Sequence, residues 1–432
     1  MPHFAILCPE DAGHLLSIGP VGVELARRGH QVTLIAGEQA ATLAKQLGLA
    51  FHLLDMKHIW VMPPTLTWLA FQTVRAGAMA GMRSNFAWKA KGMLELLPQI
   101  FEALQIDGVI CDQILAAGGT AAQRAGIPFV TICSALLWHE EIDLPPPFKH
   151  WLYAEGAKAR LHNRLGYAGW HWFIGPTLQM INRYRRRWGF PPFQRIDNTF
   201  SPVAQISQLC AGFDFPRRNL PPHFHYIGSL ASSRQVGGEG PFPWERLNGR
   251  PLIFASLGTV PDPACVPVFR KIAEACIGVD AQLVLALGKW NKQGEKSQAK
   301  LGKLPGDHVV VDFAPQLKLL DQAALLITHA GVNTVLESIS RGVPMVALPW
   351  RVDQPGMGSR IVYSGIGLRG SFKHSTADEI RGMVRRVLAE DGFRRRTLAL
   401  KETMLAAGGL HRAADIAEQA LTTRHPIVAL TS

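Results

Sequence analysis

The residues best suited to chemistry stand at a few strand ends. An apolar run, Leu325-Leu326-Ile327-Thr328, passes into His329-Ala330-Gly331-Val332-Asn333-Thr334, and a helical pattern follows. The first turn of such a helix has free backbone N–H groups and a partial positive charge, which together make a diphosphate site. Gly331 lets the backbone approach an anion closely, while His329, Asn333 and Thr334 add side-chain donors. Glu337, one turn further, is positioned to accept from ribose hydroxyls. The competing reading is an ordinary strand-to-helix turn with Asn333 or Thr334 as its cap. Gly13-His14 lies between the first strand and the first helix, where the helix dipole should keep the imidazole neutral and available as a base. A solvated loop histidine is the alternative. Asp112 closes the strand Val109-Ile110-Cys111, at the end where open α/β sheets place ligands; a helix cap is its other reading.

The elements that must hold these residues follow an α/β pattern. Phe4 to Pro9, Ile18 to Arg28 closed by Gly29, and Gln31 to Ala36 read as strand, helix and strand. A second group is the strand ending at Asp112, a helix from Ala116 to Ala125, and the strand Phe129 to Cys133. Near-continuous apolar strands separated by helices predict a buried parallel sheet. From Ser229 to Pro251 the chain is rich in Gly, Ser and Pro and lacks a period, as an interdomain linker would. The pattern then resumes with strands at Leu252 to Ser256, Gln282 to Leu287, Val309 to Phe313, Leu325 to Thr328 and Met345 to Leu348. Helices are expected at Val266 to Cys276 and Thr334 to Ser340. With 432 residues, 47% of them apolar, two cores are expected: residues 1–230, a linker at 231–250, and residues 251–432 with closing helices.

The stretch Val311 to Arg360 resembles the signature box of UDP-sugar-dependent glycosyltransferases, the group that includes plant secondary-product, macrolide and zeaxanthin glucosyltransferases. The resemblance implies a GT-B fold, two Rossmann-like domains facing a cleft, with the donor held by the second half. It implies that Phe313, where plant members usually have Trp, stacks on uracil beside Ala314-Pro315-Gln316, whose backbone reads the base edge. It implies that Asp353 and Gln354 bind donor-sugar hydroxyls, a task suited to a carboxylate and an amide. Ser256-Leu257-Gly258-Thr259 matches a segment whose Gly258 and Thr259 touch the phosphates. Arg351 stands where many plant members place Trp, and Asp353-Gln354-Pro355-Gly356 followed by a small residue and Arg360 looks more like the bacterial carotenoid branch. In the first half, Gly13-His14 matches the motif whose His deprotonates the acceptor. Asp112 matches the Asp that orients this base and offsets its charge, and Ser134 matches a hydroxyl residue near the donor sugar. Ser17 stands where a Pro is common.

The sequence contains no Asp-x-Asp pair, the usual metal clamp on a nucleotide diphosphate. The leaving UDP would then be stabilised by a helix dipole, His329 and backbone N–H groups, with no cofactor, no metal and inversion at the anomeric carbon. A UDP-sugar epimerase or hydrolase, and a silent sugar-nucleotide binding protein, remain as alternatives. A dinucleotide oxidoreductase is disfavoured, because the only G-x-G-x-x-G, Gly365 to Gly370, falls after the box. The net charge of +12 favours anionic partners, but nothing beyond charge suggests nucleic acid. Residues 138 to 190 mix Trp138, Trp151, Trp170, Trp172 and Trp188 with many Arg. That mixture suits an acceptor wall, and either a solvated basic face or contact with an anionic membrane surface. The six cysteines are scattered, the stretch Ile59 to Met82 is too interrupted to span a bilayer, and the chain opens directly on a strand. Cytoplasmic residence is expected, with peripheral contact at the inner membrane surface as an option.

Overall fold

Apolar runs become the central strands of two parallel sheets. A computed structural model describes residues 1–56, 76–230, 242–258, 264–288 and 301–429. The first sheet contains β1 (His3–Leu7), β2 (Gln31–Ala36), β3 (Ala50–Leu53), β4 (Gly108–Asp112), β5 (Phe129–Cys133), β6 (Gln205–Ser207) and β7 (Phe224–Tyr226), in the order β3-β2-β1-β4-β5-β6-β7. The second contains β8 (Leu252–Ser256), β9 (Gln282–Ala286), β10 (Val309–Val311), β11 (Ala323–Thr328), β12 (Met345–Ala347) and β13 (Gly367–Arg369), in the order β10-β9-β8-β11-β12-β13. The second half thus repeats the crossover pattern of the first. Strand order reverses between β1 and β4 in one sheet and between β8 and β11 in the other. Such reversals open a crevice at the strands' carboxyl ends, where α/β folds bind ligands.

In the first unit the helices are α1 (Ala12–Arg27), α2 (Ala41–Leu47), α3 (Ala76–Ala103), α4 (Gly118–Arg124) and α5 (Ala157–Arg187). In the second they are α6 (Cys265–Ala275), α7 (Gln316–Gln322), α8 (Val332–Arg341), α9 (Gln354–Tyr363), α10 (Ala377–Ala389) and α11 (Asp391–Ala406). The last helix, α12 (Gly409–Thr423), crosses back. Its Ala413, Ala417 and Leu421 share a core with Phe4, Leu25 and Ile110. Arg28, the C-cap of α1, meets Asp415 at 2.7 Å and Glu418 at 2.8 Å. Apolar contact and these ion pairs place α12 with the first sheet, whereas the sequence division assigned all closing helices to the second.

Burial also joins the halves: Leu136, Leu137 and Phe213 share one cluster with Phe254, Leu336, Met357 and Ile361. All six cysteines are buried and unpaired. Gly365 to Gly370 runs from the end of α9 into β13, so it lacks the strand-to-helix setting that a dinucleotide fingerprint needs. Among the described residues no helix is long and apolar enough to cross a membrane. Thr259, most of the 231–250 linker and much of the stretch from Ile59 lie outside the described residues.

Candidate active site

The two strand-order reversals bring the predicted residues to one cleft. At the first, Leu7 of β1 pairs with Cys111 of β4, so the residues just beyond them, the start of α1 and Asp112, are neighbours. Asp11 is the extended residue before α1, and its carbonyl accepts from His14 N at 3.0 Å. His14 therefore lies within the first helical turn, not in the loop that the sequence suggests, and the fixed turn aims its ring. Its Nδ1 lies 2.7 Å from Asp112 Oδ2 and 2.7 Å from Ser134 Oγ. The Ser134 hydroxyl donates to the same Asp112 oxygen at 2.7 Å, and Ile114 N donates to Oδ1 at 2.9 Å. Asp112 is fully buried. With Nδ1 committed to this carboxylate, Nε2 is the nitrogen left for a substrate proton.

Burial alone would favour neutral imidazole. The Asp112 carboxylate, by charge and hydrogen bond, and Asp353 and Asp11 more remotely, outweigh it and raise the His14 pKa above its ordinary 6.5. These carboxylates pull against the neutral ring expected from the helix dipole, and the unprotonated fraction that can act as a base grows as pH rises through the raised pKa. Asp353, at the cap of α9, is raised in turn by desolvation, with His14 and the Leu136 backbone partly offsetting that. The Gln354 carbonyl is engaged, accepting from Trp350 N at 3.0 Å and Arg351 N at 3.1 Å, so only its NH₂ is left to donate outward. Arg351 stacks over the Trp350 ring at 4.3 Å.

At the second reversal, Ser256 pairs with Thr328, which sets Gly258 beside His329. A Cβ on Gly258 would come within 3.2 Å of the His329 ring, and one on Gly331 within 2.7 Å. Gly258 has φ +110°, a conformation side-chain-bearing residues avoid. Both glycines are thus needed to seat the imidazole against the start of α8. Desolvation lowers the His329 pKa to about 4, the Ser256 backbone offsetting only part. His329 is therefore neutral at pH 7 and offers an N–H, not a charge. Gly331 caps α8, and no side chain caps its N-terminus. Thr334 and Glu337 lie beside Gln316, whose Nε2 is 3.5 Å from Thr334 Oγ1 and donates to the Glu337 carboxylate. Glu337 is buried at 1% exposure, deeper than a ribose contact suggests. Ala314 is buried, and Phe313 is 40% exposed, leaving its ring accessible for stacking.

Asn333 links the two reversals. Its Nδ2 donates to Gly13 O at 2.7 Å, and its Oδ1 accepts from Ser17 Oγ at 2.8 Å. Ser17, which departs from the usual Pro, thereby supplies a bond Pro lacks. Gln208 was not legible in sequence: fully buried, it donates to Ser134 O and, at 3.2 Å, to Asn333 Oδ1. No motif marks it, because its role arises only when the halves meet.

Comparison with known proteins bears on the family and the fold. Residues 270–418 match the family described as erythromycin biosynthesis protein CIII-like, C-terminal domain. The chain is 34% identical to a zeaxanthin glucosyltransferase of Pantoea ananas, over 99% of this chain and 98% of the relative. It is 33% identical to a zeaxanthin glucosyltransferase of Pseudescherichia vulneris, over 98% of each. The glycotransferase of kitacinnamycin matches with a TM-score of 0.74 at 24% identity, covering 98% of this chain and all (100%) of that one. The calicheamicin glycosyltransferase CalG4 gives 0.71 at 20% identity, over 99% and 100%. These two structures share the fold.

Proposed function

The chain belongs to the UDP-sugar-dependent glycosyltransferases of GT-B fold, and from that premise we propose a specific reaction: transfer of a hexose, glucose first among them, from a UDP-sugar to a hydroxyl of an apolar, carotenoid-like or polyphenolic acceptor. The acceptor hydroxyl loses its proton to His14 Nε2 as its oxygen attacks the anomeric carbon. The bond from that carbon to the diphosphate oxygen breaks on the opposite face, its electron pair leaves with UDP, and the configuration inverts. Asp112 offsets the imidazolium that forms, and the start of α8 with the neutral His329 N–H receives the diphosphate charge. No metal is assigned a role, since no Asp-x-Asp clamp occurs in the sequence.

The observation that carries this reading is the closeness of the two strand ends: the base helix and the diphosphate helix touch through Gly13 and Asn333 at 2.7 Å. A proton acceptor and an anion site set so close suit one in-line displacement. The relatives' names favour a carotenoid among apolar acceptors. The test is UDP release from UDP-glucose with and without zeaxanthin, quercetin and a macrolide. Release that depends on an acceptor is expected, whereas release without one would favour a hydrolase. Activity that vanishes with chelator would overturn the metal-free mechanism.

A further inference from the structure

The outer face of α5 takes no part in the cleft. We propose that it docks on an anionic lipid bilayer. The inference rests on the apolar-acceptor reading, since a bilayer is where such an acceptor dissolves. Leu161, Leu165 and Trp172 are 60%, 67% and 50% exposed. With Ala168 they recur at helical spacing and form one outward stripe. Large apolar side chains grouped on a single exposed face call for a partner.

Charge identifies the partner. Across its 31 residues α5 carries one Lys and six Arg, and neither Asp nor Glu. Arg160 is neutralised by Asp143 at 2.5 Å, and Arg185 is buried. The rest, including Lys158, Arg164, Arg183 and Arg186, are exposed and pair with no described carboxylate. Lys158 and Arg164 flank the leucines, and Arg183 and Arg186 continue the stripe towards the helix C-terminus. The Arg83 guanidinium lies over the Trp172 ring at 4.6 Å. The carboxylates beside the helix, Asp143 and Glu140, are tied to Arg160 and His171, so an apolar strip with tryptophan and a cationic border remains, which fits the headgroup boundary of an anionic leaflet better than a protein surface of mixed charge.

The opposite face ties this surface to the reaction. Trp170 contacts Trp138 at 5.1 Å and Phe148 at 4.9 Å, both in the loop that begins just after Ser134. The far end of that loop reaches α9, where a Cβ on Gly356 would come within 2.0 Å of Pro147 O. One helix therefore faces the bilayer on one side and backs the cleft wall on the other.

The test is vesicle flotation of the full chain, without sugar donor, on phosphatidylcholine alone and with phosphatidylglycerol added. Binding to the anionic vesicles only, abolished by high salt, is expected. Charge reversal at the exposed Arg164→Glu and Arg183→Glu should weaken partitioning by at least about fivefold per residue. Replacing Leu161, Leu165 and Trp172 by Ser should abolish binding, with folding checked by circular dichroism. Failure to float with anionic vesicles at low salt overturns the proposal. So does flotation that survives both sets of substitutions, or capture of a protein partner by this face without vesicle binding. Because flotation needs no turnover, vesicle binding without carotenoid glycosylation would count against the acceptor assignment alone.

Discussion

At the residue scale, His14 and Asp112 decide the pH behaviour. A base works only when unprotonated, and the Asp112 carboxylate raises the His14 pKa above 6.5. The acid limb of kcat/KM should accordingly fall above pH 6.5. Asp112→Asn removes the charge, so it should shift that limb to lower pH while reducing the plateau, because the amide neither fixes the tautomer as well nor stabilises the imidazolium. A pH–rate profile with a water-soluble polyphenol reads both effects. His14→Ala should lower kcat by about 10²–10⁴-fold with donor affinity, measured by calorimetry, little changed. The same shift is a stability statement. A folded pKa above the unfolded 6.5 means the protonated pair adds stability that is full below about pH 6.5 and lost as pH rises through the folded value. The thermal midpoint of His14→Ala should thus trail the wild type more at mildly acid than at alkaline pH.

At the element scale, the strand-to-helix turn at α8 depends on two glycines that make room for one imidazole. Gly331→Ala would place a Cβ 2.7 Å from His329 Nε2 and push the ring aside. UDP affinity by calorimetry should fall with the misplaced donor, at a cost of about 1–3 kcal/mol for overpacking, while His14 and its partners stay in place. This turn was legible in sequence because a buried strand, a glycine and polar donors follow one another locally. Strands β2, β5 and β8 read correctly for the same reason: Gln31–Ala36, Phe129–Cys133 and Leu252–Ser256 are continuous or nearly continuous apolar runs. The short strands β6, β7 and β13 did not. Each has three residues, and Gln205–Ser207 or Gly367–Arg369 has too little apolar length to signal a strand apart from its neighbour. Helix α5 was obscured by Pro176, by Gly166, Gly169 and Gly175, and by a composition more polar than that of a core helix. Gln208 and Asn333 show the limit at the site itself, since both act across a junction that local patterns do not encode.

At the scale of the whole molecule, one buried ion pair fastens the second half to the first. Asp214, between β6 and β7, receives Arg360 Nε of α9 at 2.7 Å, with Nη2 at the same 2.7 Å, and Arg217 Nε at 2.8 Å. Tyr226 OH adds a bond at 2.9 Å. Burial opposes the carboxylate's charge, but Arg360 and Arg217 hold its pKa well below the usual 3.8. By linkage the stability of this cluster is present above about 3.8 and lost only as pH falls through the depressed folded value, so it stays constant where His14 titrates. Asp214→Asn would leave the buried Arg360 guanidinium without its anion and Arg217 with only Glu141 at 3.4 Å, a loss of about 3–5 kcal/mol. Arg360→Met should cost less, because Asp214 keeps Arg217 and Tyr226, and the thioether still packs on Phe215, over which Arg360 stacks at 4.2 Å. The double variant should be less destabilised than the two losses summed, since the interaction is removed only once. Asp353 and Gln354 stand at the start of the helix Arg360 secures, so Asp214→Asn should also raise KM for the donor more than it lowers kcat. Scanning calorimetry and donor kinetics on the three variants check both expectations. Additive losses with an unchanged donor KM would mean that the halves are held in register without this ion pair, by packing between Leu136, Phe213, Met357 and Ile361 and by the Asn333 bonds.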